Sequence, residues 1–398
     1  MAYDFPASPT PGQTFNNYVW DGEKWKLQSP PVTGAVRYDI AQGLNSTQKA
    51  QGRANIDVTK KNYIINGAMM VSQENGTTAV TTGYVADQFS IGYVGPVITG
   101  QQILTPTTLV GSPARIRATV TTPKGTLAAG DYAYFYTTFE GLRMADLKFG
   151  SAFARTVTVQ FGWKSPAGTF ALCFRNTGGT RAYAANFTVA AGQANTDLQF
   201  AITIPGDVTG TWVTDNTLWS YLTWTYAVGT AFGTSVDQTW TATAGFGTPQ
   251  VTNGVATGGA VYELFDVSLT EGSVAPPFQV PDYADELALC QRYFYKRNWP
   301  AINSVIGLIQ MYNTASGSGP LLDFPVPMRV APTWSGTSTF IVNSGGAGIT
   351  ISAGTVLTTN EHAWASGFTG TPASWTAGQA AMITTATANG SYSFYARL

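Results

Sequence analysis

Charge is scarce in this sequence. Asp, Glu, Lys and Arg make up 11% of 398 residues, and 21 basic residues against 22 acidic ones leave a formal net charge of −1. Without clustered Lys and Arg a chain has little to set against a phosphate backbone, so nucleic acid is not expected as a partner. Histidine is scarcer still. His362 stands alone, and any Ser-His-Asp or Cys-His arrangement would have to use it. It lies in Asn360-Glu361-His362-Ala363-Trp364, and no Gly-x-Ser-x-Gly elbow accompanies it. Cysteine occurs as Cys173 and Cys290 only, which with one histidine at unrelated spacing cannot close a tetrahedral zinc site. The two could pair, but a chain of this length needs no disulfide staple, and free buried thiols are expected. No glycine-rich stretch carries the lysine of a phosphate-binding loop. No apolar run approaches the ~20 residues that span a bilayer, and Met1–Pro6 lacks the basic and apolar regions of a secretory leader. These absences predict a protein with no catalytic residue, no metal, no cofactor and no membrane insertion.

What is present points to β-structure. Aromatics reach 13%, far above a disordered composition, and 43 glycines supply turns. Thr156–Trp163 and Leu198–Ile204 alternate β-branched or aromatic residues with polar ones, the signature of half-buried antiparallel strands. No repeat of fixed period is visible, which weighs against a β-helix or propeller. The predicted fold class is mainly β: an N-terminal hairpin, a short helical neck, a jelly-roll β-sandwich and a small C-terminal β-sandwich. The expected boundaries are 1–34 for the hairpin module, 35–61 for the neck, 62–281 for the jelly roll, 282–298 for a connector and 299–398 for the terminal domain.

The hairpin is read over Tyr18–Leu27, with Asp21-Gly22 as a two-residue turn flanked by Trp20 and Trp25. Such a hairpin is too small to stand alone and should dock on something. In the neck, Asn45 or Ser46 can cap a helix whose Ala50 and Ala54 give too thin an apolar face for a lone helix. In the connector, Leu287, Cys290, Gln291 and Phe294 fall on one helical stripe, and Cys290 reads as a small buried hydrophobe. The terminal domain carries Asp323, Arg329, Glu361 and Arg397 as its formal charges; the rest is small, hydroxylic or aromatic.

Two kinds of residue are candidates for function. Glycoside hydrolysis needs two carboxyl groups ~5–10 Å apart, and Glu140, Asp146, Glu263 and Asp266 are the candidates. Glu263 and Asp266 would point to opposite faces of a strand, because their separation is odd. Tryptophan faces can stack on sugar rings. Trp163, Trp212, Trp219 and Trp224 lie in sandwich strands and are expected to be buried. Trp334, Trp364 and Trp375 lie near turns of the neutral terminal domain and are the candidate receptor contacts.

Several short segments, taken in order, carry a resemblance. They are Trp20-Asp21-Gly22-Glu23-Lys24-Trp25, Gln48-Lys49-Ala50-Gln51, Asn66-Gly67, Glu271-Gly272-Ser273, Leu289-Cys290-Gln291-Arg292-Tyr293 and Pro327-Met328-Arg329-Val330-Ala331-Pro332-Thr333. The set resembles bacteriophage tail-fibre and spike proteins with a carbohydrate-binding-module-like jelly roll. The resemblance implies a homotrimer, made in a bacterial cytoplasm and resident in the virion, that attaches to a bacterial surface glycan without turnover. It implies attachment to other virion proteins through residues 1–34, with Trp20 and Trp25 as candidate contacts. A capsid- or collar-attached decoration protein and a glycan-cleaving spike are the alternatives. Ala68 and Met69 depart from the pattern, since an acidic residue often follows the Asn-Gly pair in such proteins.

Overall fold

The computed structural model describes residues 5–16, 18–27, 48, 61–104, 108–299, 301–313, 316–336, 340–344, 347–351, 354–369, 376–378, 380–386 and 390–398. The chain divides into two compact units, Met1–Thr59 and Lys60–Leu398. Apart from Gln48 and Lys61, the predicted neck at 35–61 lies outside the described residues.

In the first unit, β1 (Thr14–Phe15), β2 (Tyr18–Trp20) and β3 (Trp25–Leu27) form an antiparallel sheet in the order β1-β2-β3. Trp20 pairs with Trp25, so the connection is the four residues between them and not the expected two-residue turn. The Asp21 side chain organises this loop. Its Oδ1 accepts the backbone N–H groups of Glu23 at 2.9 Å and Lys24 at 2.8 Å, and Lys26 sits 2.6 Å from its carboxylate. The hydrogen bond from Lys26 holds the Asp21 carboxyl well below the usual range. The hairpin, expected to dock on something, has aromatic contacts within its own unit. Phe5 stacks on Trp25 at 5.2 Å and meets Tyr18 edge-on at 5.1 Å, and Trp20 lies 5.6 Å from Trp25. An upstream aromatic and a third strand give the hairpin a small cluster that is still only half-buried.

The second unit opens with strands β4 (Tyr84–Ala86), β5 (Phe89–Val94), β6 (Val97–Leu104), β7 (Ala114–Thr122), β8 (Tyr132–Glu140), β9 (Val157–Lys164), β10 (Gly168–Asn176), β11 (Ala182–Val189), β12 (Leu198–Ile204), β13 (Leu218–Val228), β14 (Thr239–Thr241) and β15 (Val261–Glu271). They form a seven-stranded sheet, β14-β11-β10-β13-β8-β5-β4, and a five-stranded sheet, β12-β9-β15-β7-β6. The chain passes repeatedly from one sheet to the other, giving a jelly-roll sandwich. Alternation does the sorting: along β12, Leu198, Phe200, Ile202 and Ile204 pack against the core, while Gln199, Ala201 and Thr203 take the other face. Phe135, Phe161, Trp163, Trp219, Trp224 and Leu264 fill the space between the sheets. Trp212 is buried too, so the sandwich tryptophans are core residues as read.

Ten further strands follow: β16 (Phe294–Trp299), β17 (Val305–Gln310), β18 (Ser316–Asp323), β19 (Thr333–Gly336), β20 (Phe340–Ser344), β21 (Ala347–Ile351), β22 (Gly354–Thr359), β23 (Ala363–Thr369), β24 (Ala380–Thr385) and β25 (Gly390–Tyr395). They make three small antiparallel sheets, β16-β25-β19, β17-β24-β20-β21 and β18-β23-β22. Their shared core holds Trp299, Leu322, Met328, Trp364, Tyr392 and Phe394.

Three of the six short segments that carried the resemblance meet where the sandwich joins these sheets. Asn66 takes a left-handed conformation, and its side chain bonds the backbone of Val71 and Asp87. Gly67 lies so close to β15 that a Cβ would overlap the Val267 carbonyl oxygen. The helix Tyr283–Gln291, capped by the Asp282 side chain, presents Glu286 to the Asn66 backbone N–H. The helix ends before Phe294, which is a strand residue, so the predicted stripe stops short there. Cys290 is free and packs with Ile65, Val71 and Tyr293; Cys173 is also free and buried. Arg292 and the Tyr293 hydroxyl both reach the buried Glu140, at 2.6 Å each. Arg329 donates to the carbonyls of Asn216, Ala396 and Arg397 at 2.7–2.8 Å. These motifs therefore build a joint.

The joint carries a pH dependence. Burial pushes the Asp87 carboxyl above the ordinary range of ~4 despite two hydrogen bonds from Gln73. A carboxyl whose folded pKa is raised contributes stability below its unfolded pKa and loses it as pH rises through the folded value. Asp87→Asn should therefore gain melting temperature relative to the parent as pH goes from 4 to 8. Thermal scans of both proteins across that range test this, and a gap that stays constant with pH contradicts it.

Candidate functional site

Among the described residues, Trp334 and Trp364 do not form an exposed sugar platform. Trp364 is fully buried, ringed by Trp334 at 5.2 Å, Tyr392 at 5.0 Å and Phe394 at 5.6 Å. Its placement near a turn suggested exposure, but β23 turns this side chain into the core. Trp334 is half-buried against the same cluster, and Trp375 lies outside the described residues. Arg329 and Arg397 are drawn into the joint, the latter by Glu74 at 2.6 Å.

The candidate carboxylates are each engaged. Glu140 belongs to the joint. Asp146 accepts the Tyr63 hydroxyl at 2.7 Å. Glu263 is buried between Arg115 at 2.8 Å and Arg117 at 2.5 Å on the five-stranded sheet. Asp266 accepts the hydroxyls of Thr108 and Ser112, and burial pushes its carboxyl up. The odd-separation argument for Glu263 and Asp266 does not hold, because the β15–β9 register shifts between Phe265 and Ser268 and Asp266 has φ +50°. His362 is exposed in the turn before β23. Among the described residues no group of three or more His, Cys, Asp or Glu could hold a metal.

The aromatic surface that the structure does assemble lies on the seven-stranded sheet. Along β8, Ala133 and Phe135 enter the sandwich core, so Tyr132, Tyr134 and Tyr136 stand on the opposite, outer face. Register places Tyr136 beside Thr223 of β13 and Ser90 of β5, and Tyr134 beside Thr225 and Gly92. Tyr221 of β13 faces the same way, paired with Arg175 of β10. The four rings form a continuous, half-exposed row: Tyr132 stacks on Tyr134 at 5.1 Å, Tyr134 meets Tyr136 at 5.7 Å, and Tyr136 lies 6.5 Å from Tyr221. Gly92 is required beneath them, because a Cβ there would overlap the Tyr134 ring. Burial pushes the Tyr134 phenol well above its ordinary range.

One flank of the row is walled by the segment that carries Phe232 and Phe246. It crosses the small residues Cys173, Ala182 and Ala184, pinned by Thr225 Oγ1 to the Phe246 carbonyl at 2.5 Å. Arg175 sits at this border, its guanidinium 4.9 Å above the Tyr221 ring and donating to the Ala244 carbonyl at 3.1 Å. The opposite flank is closed by Tyr84 of β4, under the guanidinium of Arg397 at 3.9 Å. The hydroxyls of Tyr136 and Tyr221 have no hydrogen-bond partner among the described residues, leaving them free for a ligand. Tyr132-Ala133-Tyr134-Phe135-Tyr136 was the visible signal: aromatics at i, i+2 and i+4 share one strand face. A separate depression of about 440 Å³, lined by Asn195, Asn253, Thr257 and backbone of Gly258–Ala260, lies elsewhere on the sandwich and carries no charged side chain.

No family model matches the chain, and no curated protein matches it. Among solved structures it is similar to the enzymatically active domain of bacteriophage CBA120 tailspike protein 4, at 13% identity and a TM-score of 0.30 over 53% of this chain. The match spans 21% of the tailspike chain. It is also similar to the family 11 carbohydrate-binding module of Clostridium thermocellum in complex with a β-1,3-1,4-mixed-linked tetrasaccharide. There the identity is 10% and the TM-score 0.26, over 51% of this chain and 99% of the module. The tandem CBM22 domain of Paenibacillus barcinonensis Xyn10C covers 82% of this chain and 98% of its own, at 11% identity and a TM-score of 0.23.

Proposed function

We propose that this protein is a phage fibre or spike subunit that holds a bacterial surface glycan on the outer face of its seven-stranded sheet, without cleaving it. The observation that carries the binding reading is the half-exposed row Tyr132, Tyr134, Tyr136 and Tyr221, flanked by walls on both sides. Flat rings supply apolar faces for sugar rings, and the free hydroxyls of Tyr136 and Tyr221 supply orienting hydrogen bonds. Binding without turnover is supported by the four candidate carboxylates, each spent on a structural partner. The virion setting, the homotrimer and attachment through the first unit rest on the sequence resemblance. Within that unit Trp20 is the better candidate contact, since Trp25 is covered by Phe5.

The test is binding of the intact protein to immobilised bacterial surface polysaccharides. Tyr136→Ala should weaken the best interaction by roughly 10- to 30-fold, as truncation of a central interface aromatic does. Its melting temperature should stay near that of the parent, because the ring lies outside the core. Unchanged affinity would remove the row as the site, and release of reducing ends would replace binding by hydrolysis.

A further inference from the structure

Arg175, like Arg143, has no carboxylate partner among the described residues, but it makes one hydrogen bond where Arg143 makes two. Arg115 and Arg117 are neutralised by Glu263 and Asp197, Arg155 by Glu271 and Arg181 by Asp207, and Arg143 donates to the carbonyls of Asn62 and Tyr63. The one hydrogen bond of Arg175 goes to the Ala244 carbonyl, and its Nε–H is buried without a partner. The guanidinium is held instead by rings, 4.9 Å over Tyr221 and 5.6 Å over Phe246. A planar cation fixed on two aromatic faces is pre-organised, and its unused N–H groups are donors suited to an anionic oxygen pair. It adjoins Tyr221, one end of the tyrosine row.

We infer that the glycan held on this face is acidic, with a carboxylate or phosphate substituent of one sugar paired to Arg175 while neighbouring rings lie on Tyr221 and Tyr136. The inference rests on the proposed binding face. It adds the class of sugar that the face selects. An uncharged glycan would leave this half-exposed guanidinium with one carbonyl as its hydrogen-bond partner among the described residues, whereas an anion supplies charge-assisted hydrogen bonds.

The experiment uses the intact protein and an array of bacterial polysaccharides. Each uronate-bearing glycan is printed beside its carboxyl-reduced form, and each phosphate-bearing glycan beside its dephosphorylated form. The parent should bind acidic members at least about 10-fold more tightly than their neutralised forms, with affinity falling as salt rises. Which pair shows the gap tells carboxylate from phosphate. Arg175→Gln should abolish the gap between acidic and neutral forms, whereas Tyr136→Ala should weaken both forms and keep the gap. Equal binding of acidic and neutral forms, or a gap that survives Arg175→Gln, overturns the acidic-sugar inference while the Tyr136→Ala result still speaks for the face. Binding that neither variant alters overturns both readings, as does binding to no glycan on the array.

Discussion

Trp364→Ala should cost about 3–5 kcal/mol and melt the three small C-terminal sheets early, whether or not glycan is present. The indole is fully buried and touches Trp334, Tyr392 and Phe394, which belong to strands of the neighbouring sheet β16-β25-β19. β23 itself pairs with β18 and β22. Removing the ring therefore opens a cavity between two sheets, and neither can close it without giving up its own pairing. The indole N–H has no hydrogen-bond partner among the described residues, so Trp364→Phe should be much milder: it keeps most of the volume and removes a buried unsatisfied donor. Calorimetry of both variants should show the C-terminal transition shifting down sharply for alanine and little for phenylalanine. A Trp364→Ala protein that melts like its parent but loses glycan binding would restore this residue as a receptor contact.

Gly67→Ala should be as damaging, at about 4 kcal/mol or more, and is expected to give little soluble protein. A Cβ at Gly67 would overlap the Val267 carbonyl oxygen, and the Val267 N–H donates to the Gly67 carbonyl at 2.9 Å. The obstacle is backbone on the strand that carries the β15 bulge, so no side-chain truncation can relieve it. Gly162 provides the control. A Cβ there meets the Phe265 ring, and the ring can in principle be removed. Phe265→Ala should therefore rescue part of the loss in Gly162→Ala, while Val267→Ala should rescue none of the loss in Gly67→Ala. Comparing soluble yield and urea midpoints across the four variants decides the point. Rescue of Gly67→Ala by Val267→Ala would refute the backbone explanation.

Gly67 explains part of the resemblance in physical terms. Asn66 and Gly67, Leu289–Tyr293 and Pro327–Arg329 are short, far apart in sequence and rich in unusual residue types. Each has a structural task at the joint: a left-handed Asn, a glycine under a strand, a tyrosine and an arginine sharing one buried glutamate, and an arginine closing three carbonyls. Such residues tolerate few substitutes, which makes them readable as motifs.

The sequence alone determined the β class, the placement of strands such as Leu198–Ile204, the burial of Trp163, Trp212, Trp219 and Trp224, and two free thiols. These follow from composition and a period of two, both local properties. Tertiary structure alone decided the rest. Tyr132-Ala133-Tyr134-Phe135-Tyr136 is apolar on both faces, so its pattern could not tell core from surface; only the position of the second sheet did. Trp364 looked exposed because its neighbours are turn residues, yet the sheets of Trp334 and Phe394 close over it. The bulge at Asp266 broke the alternation that local reasoning relied on. That Arg175 has no carboxylate partner among the described residues, while Arg115, Arg117, Arg155 and Arg181 have one, is a fact about side chains brought together from distant strands. Periodicity constrains which way a residue points along its own strand, and only long-range packing determines what it meets there.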